Sequence, residues 1–434
     1  MLAIGYGHEG IAKILLGRDD VNPDKSDEEG QTPLSIAARK GRERVVKMLL
    51  GRDGVNPNYS NERGQTPLWH AAHNGHEGIV KMLLRRDEID PDKPDNQGQT
   101  PLSRAAQIGM VGIVEMLLGR DDVNPDKPDM NGRTPLCLAA LKGHEGVVKM
   151  LLGRDEVNPN NTDNSGQTPL LWAACNGDEG MVKMVLGRND VNPDKPDNRG
   201  QTPLSWAAYC GKEGVVEILL GLNGVNPNYS DQDGQTPLFQ AAYCGKEGVV
   251  KILLGRDNIN PDKPDNRGKT PLSCAAGNGH AGVVEILLGR NDLNPDKPDN
   301  DGRTPLSWAA FNGYERVVKT LLRRDDINPN NTDAGGETPL SWAAHYGDEG
   351  VVKVLLGRND VNPDKPNNRG QTPLSRAAEN GHAGVVEILL RRDDVSPGKP
   401  DNSGQTPLSW AAENGHTQVI ALLQPPAAAT RNTA

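Results

Sequence analysis

Aromatic side chains are scarce in this 434-residue chain. Two Phe, seven Tyr and six Trp amount to 3% of it, and the mean hydropathy is −0.62. A chain of this length would ordinarily make about three domains, but so few large side chains do not fill three ordinary cores. Cysteine is scarce as well: the five, Cys137, Cys175, Cys210, Cys244 and Cys274, are odd in number with no close pair. That argues against a disulfide framework and for reduced thiols. No apolar run approaches the roughly 20 residues of a membrane-spanning helix. A block of Lys and Arg is also missing. The net charge of −10, from 48 basic and 58 acidic residues, is spread evenly, which argues against nucleic acid or an anionic membrane as the main partner.

What the chain does have is repetition. Thr-Pro-Leu begins at Thr32, Thr66, Thr100, Thr134, Thr168, Thr202, Thr236, Thr270, Thr304, Thr338, Thr372 and Thr406, always 34 residues apart. A fixed period of this size signals stacked supersecondary units and overrides a domain count taken from length. We read a partial unit at 1–29, eleven full units at 30–403, a shortened unit at 404–423 and a fraying tail at 424–434. Gly7 lines up with Gly41 and Leu15 with Leu49, so the first residues read as half a unit rather than a signal peptide. The expected location is the cytoplasm, with the nucleus left open.

Residues 30–63 illustrate one unit. Thr32 is a good N-cap and Pro33 suits the first helical position, where its missing N–H costs nothing. Leu34, Ala37 and Ala38 form an i, i+3, i+4 apolar stripe, and Gly41 can end the helix in a left-handed cap. Val45, Val46, Met48, Leu49 and Leu50 mark a second, antiparallel helix. Its end is expected at the Asp or Asn three residues on (Asp53, Asp87, Asn189, Asn291), the non-glycine types most tolerant of positive φ. The rest, Val-Asn-Pro and then Asp-Lys-Pro-Asp-Asn-x-Gly in most units, is turn chemistry and predicts a projecting finger. Two such short helices are unstable alone in water, so stacking is compulsory.

The pattern Gly-x-Thr-Pro-Leu-x-x-Ala-Ala-x-x-Gly-x-x-x-Val-Val-x-x-Leu-Leu, from Gly30 onward, resembles the ankyrin repeat. The resemblance implies an all-α ankyrin-repeat solenoid of helix-turn-helix units with projecting β-turn fingers, in a curved right-handed stack. It also implies a non-catalytic protein-interaction scaffold. The finger, together with Ser-Trp-Ala-Ala at 307–310, is similar to arrays of filamentous fungi that often follow NACHT-type switch-ATPase domains. One departure stands out: the residue after Thr-Pro-Leu is never the family's His. It is mostly Ser, and otherwise Trp69, Cys137, Leu171 or Phe239, which puts the family's usual Thr-His hydrogen-bond ladder in question.

Comparing units within the chain separates fixed from varied positions. The residue after Ala-Ala is Arg39, His73, Gln107, Leu141, Cys175, Tyr209, Tyr243, Gly277, Phe311, His345, Glu379 and Glu413. In the resemblance this row faces the concave groove, where partners are commonly held. A second row carries Trp172, Trp206, Trp308, Trp342 and Trp410 among Ile36, His70, Arg104, Leu138, Gln240, Cys274 and Arg376. Tryptophan there either lines the groove as a contact strip or pads the seam between units. Asn56-Pro-Asn-Tyr-Ser recurs at Asn226 and Asn158-Pro-Asn-Asn-Thr at Asn328, both five periods later, so a five-unit block was duplicated.

Several patterns imitate chemistry. Gly5-x-Gly7-x-x-Gly10 and Gly277-x-Gly279-x-x-Gly282 match a dinucleotide fingerprint, but each falls between paired helices with no strand before it. His70, His73 and His76 are interrupted by Gly75 and lack a completing carboxylate or thiol. The Asp-rich fingers hold Lys25, Lys93 and their equivalents and no calcium-loop pattern, so they read as solvated turns. No catalytic constellation emerges, and neither a cofactor nor a metal is expected. The sequence therefore predicts a binder of another protein, with affinity from the Trp row and specificity from the Arg39-type row. The alternatives are self-assembly into oligomers or filaments through the end units, and a sensor piece of a larger switch ATPase.

Overall fold

In the computed structural model, residues 1–18 and 20–424 are described; the tail expected to fray lies, from residue 425 on, outside them. Among the described residues there are 26 short helices and no strand. They fall into two compact bodies, Met1–Ala207 with Glu217–Val225, and Ala208–Val216 with the chain from Asn226 onward. In the first body, first helices such as Pro33–Arg39, Pro67–His73 and Pro101–Ile108 pack on one another in order, as do second helices such as Glu43–Leu50 and Glu77–Leu84. In the second body the same holds for Pro237–Tyr243, Pro271–Gly277 and Pro305–Phe311, and for Glu247–Leu254 and Ala281–Leu288.

The expected helix starts are present. Thr32 Oγ1 accepts the Ser35 N–H at 3.2 Å, with Pro33 in the first turn. The Ser that stands where the resemblance has His serves the same cap: Ser273 Oγ accepts the Thr270 N–H at 2.8 Å, completing a capping box. Gly109 ends its helix at φ +78, and a Cβ there would also lie 2.7 Å from His144 Nδ1. Backbone geometry and space therefore both call for glycine.

The expected end of the second helix is not where the chain puts it. No described residue other than glycine has positive φ, so Asp53, Asp87, Asn189 and Asn291 are not left-handed terminators. Glu43–Leu50 ends on Gly51 at φ −84, still right-handed. Its last carbonyls are met from the next unit instead: Arg86 donates to Leu50 O at 2.9 Å, Arg120 to Leu84 O at 2.8 Å, Arg290 to Leu254 O at 2.9 Å. A guanidinium at a helix C-terminus supplies the missing donors and suits the dipole, so no left-handed residue is needed.

The core is a ribbon of small and medium side chains. Leu34, Ala37, Ala38, Val45, Val46 and Leu49 are fully buried, and so are their equivalents in later units, such as Leu238, Ala241, Ala242, Val249, Val250 and Leu253. The alanines let neighbouring first helices approach closely, which is why the fold needs few aromatics.

The fingers are less solvated than their composition suggests. Asp95 Oδ1 accepts the Gln97 and Gln99 N–H groups, both at 2.9 Å, and closes a tight turn. The next finger continues a ladder: Asn96 N–H donates to Arg63 O at 2.9 Å and Met130 N–H to Gln97 O at 2.9 Å. Deeper in the loop, Asp92 Oδ2 accepts the Asn124 N–H at 2.7 Å while Lys127 Nζ donates to Asp92 O at 2.8 Å. The Asp and Lys residues thus tie each loop to its neighbour.

Candidate functional site

The chemically varied surface lies in the corner where each finger meets a first helix. The finger Asp uses one oxygen to build its turn, and the other points at the helix. Trp206, Trp308, Trp342 and Trp410 each donate their indole N–H to that second oxygen, of Asp197, Asp299, Asp333 and Asp401, at 2.8–3.0 Å. Gln240 does the same toward Asp231 at 3.2 Å, and Arg133, from the finger itself, toward Asp129. The Trp row therefore pins finger to helix with its polar edge, leaving ring faces half-exposed. Trp172 is half-buried, with its Nε1 enclosed and unpartnered. Other members of the row, Ile36, His70, Leu138 and Cys274, are buried.

The Arg39-type row divides three ways. Tyr209, Tyr243 and Glu413 are exposed, the tyrosines at 42% and 50%. Arg39, Leu141, Cys175 and Phe311 are half-buried. The rest are held by the chain itself: His73 Nδ1 and Gln107 Oε1 both accept from Arg104, at 2.9 and 2.5 Å. Glu379 pairs with Arg376 at 2.8 Å, and Asn380 donates to His345 Nδ1 at 2.9 Å. Phe311 sits in an aromatic cluster, with ring centroids 5.8 Å from Trp308, 5.0 Å from Trp342 and 4.9 Å from Tyr346. The Arg303 guanidinium lies 4.9 Å from the Trp308 ring and 5.2 Å from that of Phe311, within cation–π reach.

Hollows open in this corner. One, of about 400 Å3, is lined by Phe239, Tyr243, Asp265, Lys269, Cys274, Gly277 and Trp308. A second, of about 460 Å3, is lined by Arg63, Gln65, Trp69, Asp95, Gln99 and Arg104. They are the two copies of one corner in the duplicated block, since Trp69, Asp95, Gln99 and Arg104 correspond to Phe239, Asp265, Lys269 and Cys274. Burial shifts titratable groups of the same row. It lowers His70 to about 4, helped by the charges of Arg39 and His73, and raises the Cys274 thiol to about 12.

Ankyrin-repeat models, three repeats to each, match residues 1–61, 53–129, 102–197, 180–265, 258–333, 292–365 and 340–433. The chain belongs to the ankyrin-repeat family. Ankyrin repeats are in general protein-interaction modules, on a fold that is typically non-catalytic. No curated protein matches the chain.

The histidines of this ankyrin array have a structural use. His76, His144, His280, His382 and His416 each place Nε2 2.9–3.2 Å from a first-helix carbonyl of the preceding unit, at Arg39, Gln107, Tyr243, His345 and Glu379. His76 thus spends its Nε2 on Arg39 O. Among the described residues no group of three His, Cys, Asp or Glu could hold a metal ion, and no helix is long and apolar enough to cross a membrane. The glycines of the two dinucleotide-like patterns lie at or beside helix-to-helix turns, as Gly7 at φ +79 and Gly279 at φ +79.

Sequence comparison missed Arg303, Lys269 and Tyr346 of the ankyrin corner. Arg303 and Lys269 had a signal: they replace the Gln that most units carry before Thr-Pro-Leu. Tyr346, 46% exposed, follows the varied row by one residue. Its position gains meaning only from the rings beside it.

Proposed function

We propose that the chain binds a protein partner along the corner between fingers and first helices, the concave groove of the ankyrin resemblance. The observation that carries this reading is the contrast within the duplicated block. Caps, core and finger ladders are retained, while the corner rows change class, from His73 to Tyr243, Arg104 to Cys274 and Leu141 to Phe311. Exposed Tyr209 and Tyr243 and the Phe311 cluster supply aromatic area of the kind that dominates interfaces. The Trp row adds ring faces, and the Arg39-type row adds specificity. The test is partner capture by the full chain with Tyr209, Tyr243 and Phe311 each changed to Ala. At least one change should weaken a captured partner by about 2 kcal/mol, roughly thirtyfold in Kd. Unchanged capture by all three would remove the basis of the reading.

Self-assembly is a second reading, favoured by the exposed apolar side chains Leu2, Tyr6, Ile11 and Ile14. A heterologous contact through such a face propagates if it does not close. Light scattering across a hundredfold concentration range separates the two: constant mass leaves partner binding, growing mass selects assembly. The likeness to fungal switch-ATPase arrays adds a third reading, in which the same corner belongs to a sensor segment. A nucleotide-binding domain in the parent gene would support it.

A further inference from the structure

Four corners share one arrangement: the finger Asp receives the indole N–H of a tryptophan from the following first helix. In the Asp265 corner the residue at the tryptophan position is Cys274, and the next varied position is Gly277. Both lose volume at once. The cavity here, of about 400 Å3, has Phe239, Tyr243 and Trp308 in its lining. A Cβ added to Gly277 would sit 3.6 Å from Trp308 Cβ, in ordinary contact, so the floor is open rather than pinched. Asp265 Oδ1 accepts the Arg267 and Lys269 N–H groups at 2.9 and 2.8 Å, as every finger Asp does. Its Oδ2, the atom that elsewhere receives an indole, accepts no hydrogen bond from the described residues. Lys269 Nζ lies 3.6 Å from the centre of the Trp308 ring.

We propose that this cavity is the receptor for one tryptophan side chain of a protein partner, whose indole N–H donates to Asp265 Oδ2 where the chain's own tryptophan is missing. The occupant is planar, because the walls are aromatic rings. It is a donor, because the unfilled group is a carboxylate oxygen. No charge is required of it, because Lys269 and Arg267 already balance the carboxylates of Asp265 and Asp233 that line the same space. A second copy of this chain has no suitable tryptophan among its described residues: Trp69 is buried, the Trp172 Nε1 is enclosed, and the other four indole N–H groups are already donated. The occupant comes from a different protein. The proposal rests on the partner-binding reading above and specifies its anchor.

The probe is 5-fluoroindole added to the full chain and followed by fluorine NMR. The expected result is saturable binding with a Kd of about a millimolar, typical of so small a ligand. Two variants test the assignment. Cys274→Trp rebuilds the intrachain indole–Asp pair and fills the cavity from within. Asp265→Asn keeps the turn-building oxygen but replaces the acceptor by an amide N–H; Asn61 and Asn367 already occupy this position, so it is compatible with the fold. Each variant should weaken fluoroindole binding at least tenfold while Tm is unchanged or higher. Absence of binding to the natural chain up to the solubility limit overturns the proposal, as does undiminished binding in either variant. Fluoroindole binding that responds to both variants, alongside partner capture indifferent to Cys274→Trp, overturns the partner-tryptophan assignment and leaves the wider partner-binding reading to its own tyrosine and phenylalanine test.

Discussion

The corner around Asp95 in the first body and its copy around Asp265 in the second began as the same sequence and now line their hollows with different chemistry. In the first, the Arg104 guanidinium forms one wall of a hollow of about 460 Å3: it donates to His73 and Gln107 and lies 5.5 Å from the Trp69 ring centre. In the second, Cys274 and Gly277 line the hollow together with Phe239, Tyr243 and Trp308. The backbone is alike, with Asp95 and Asp265 closing the same turn through the same pair of bonds. A scaffold whose stability comes from a shared ribbon of Leu, Val and Ala leaves the corner side chains free to change without loss of fold.

If the scaffold is common, damage to its core must cost both copies the same. Leu83→Ala and Leu253→Ala remove equivalent, fully buried side chains. Each should cost about 2–5 kcal/mol, read from denaturant unfolding, with the two values agreeing within about 0.5 kcal/mol. A larger gap would break the claim of one scaffold.

The next largest effect should separate the copies. His70 is buried and its pKa is lowered to about 4 by desolvation and by the nearby Arg39 and His73 charges. Its counterpart, Gln240, does not titrate. A folded value below the unfolded one of about 6.5 means the unfolded state binds more protons between the two. Stability present above pH 6.5 is therefore lost as pH falls toward 4, by roughly 3 kcal/mol. His70→Gln should remove that loss from the difference between unfolding free energies at pH 7 and pH 4. An acid response equal to that of the natural chain would contradict the assignment.

The smallest effect concerns the loops that both copies share. Asn58 and Asn228 accept a neighbouring N–H and donate to a carbonyl, Glu88 O and Asn258 O, both at 2.6 Å. At the next unit, Asp92 and Asp262 accept the same kind of N–H, but their Oδ1 is buried with no donor. Burial raises both carboxyl pKa values; backbone donors and Lys127 or Lys297 oppose the shift, while Asp90 and Asp122, or Asp292, reinforce it. A raised folded value means the ionised form is disfavoured in the fold, a cost relieved as pH falls through that value. Asp92→Asn and Asp262→Asn should each stabilise the chain by about 1 kcal/mol at pH 7, with the gain shrinking on acidification to pH 4. Thermal melts at the two pH values measure it, and a gain in one copy alone would mark a difference between the loops.

Much of the fold was legible in one unit. Thr32, Pro33 and Gly41 mark a helix by chemistry that acts within a few residues, and Leu34, Ala37, Val45, Val46 and Leu49 mark the buried stripe by spacing. The end of the second helix was misread because its cap is supplied from 36 residues away, as Arg86 is to Leu50. The ties between fingers were missed for the same reason, since their Asp and Lys partners belong to neighbouring units. For the candidate site, the varied Arg39-type row was visible. Which members face outward was not: His73 and His345 are engaged by Arg104 and Asn380 of the next unit, and Gln107 and Glu379 by an arginine three residues earlier on their own helix.

By itself the sequence determined the unit: its two helices, the caps of the first, the buried ribbon, and the necessity of stacking, all of which follow from contacts within a turn or two and from the 34-residue period. Only the tertiary structure decided what the corners contain. Whether a tryptophan is spent on a finger Asp, where an arginine finds its acceptors, and whether Cys274 leaves Asp265 without an indole all depend on volume and hydrogen-bond partners brought together by the packing of finger, helix and neighbouring unit. That is a property of packed neighbours rather than of any one repeat.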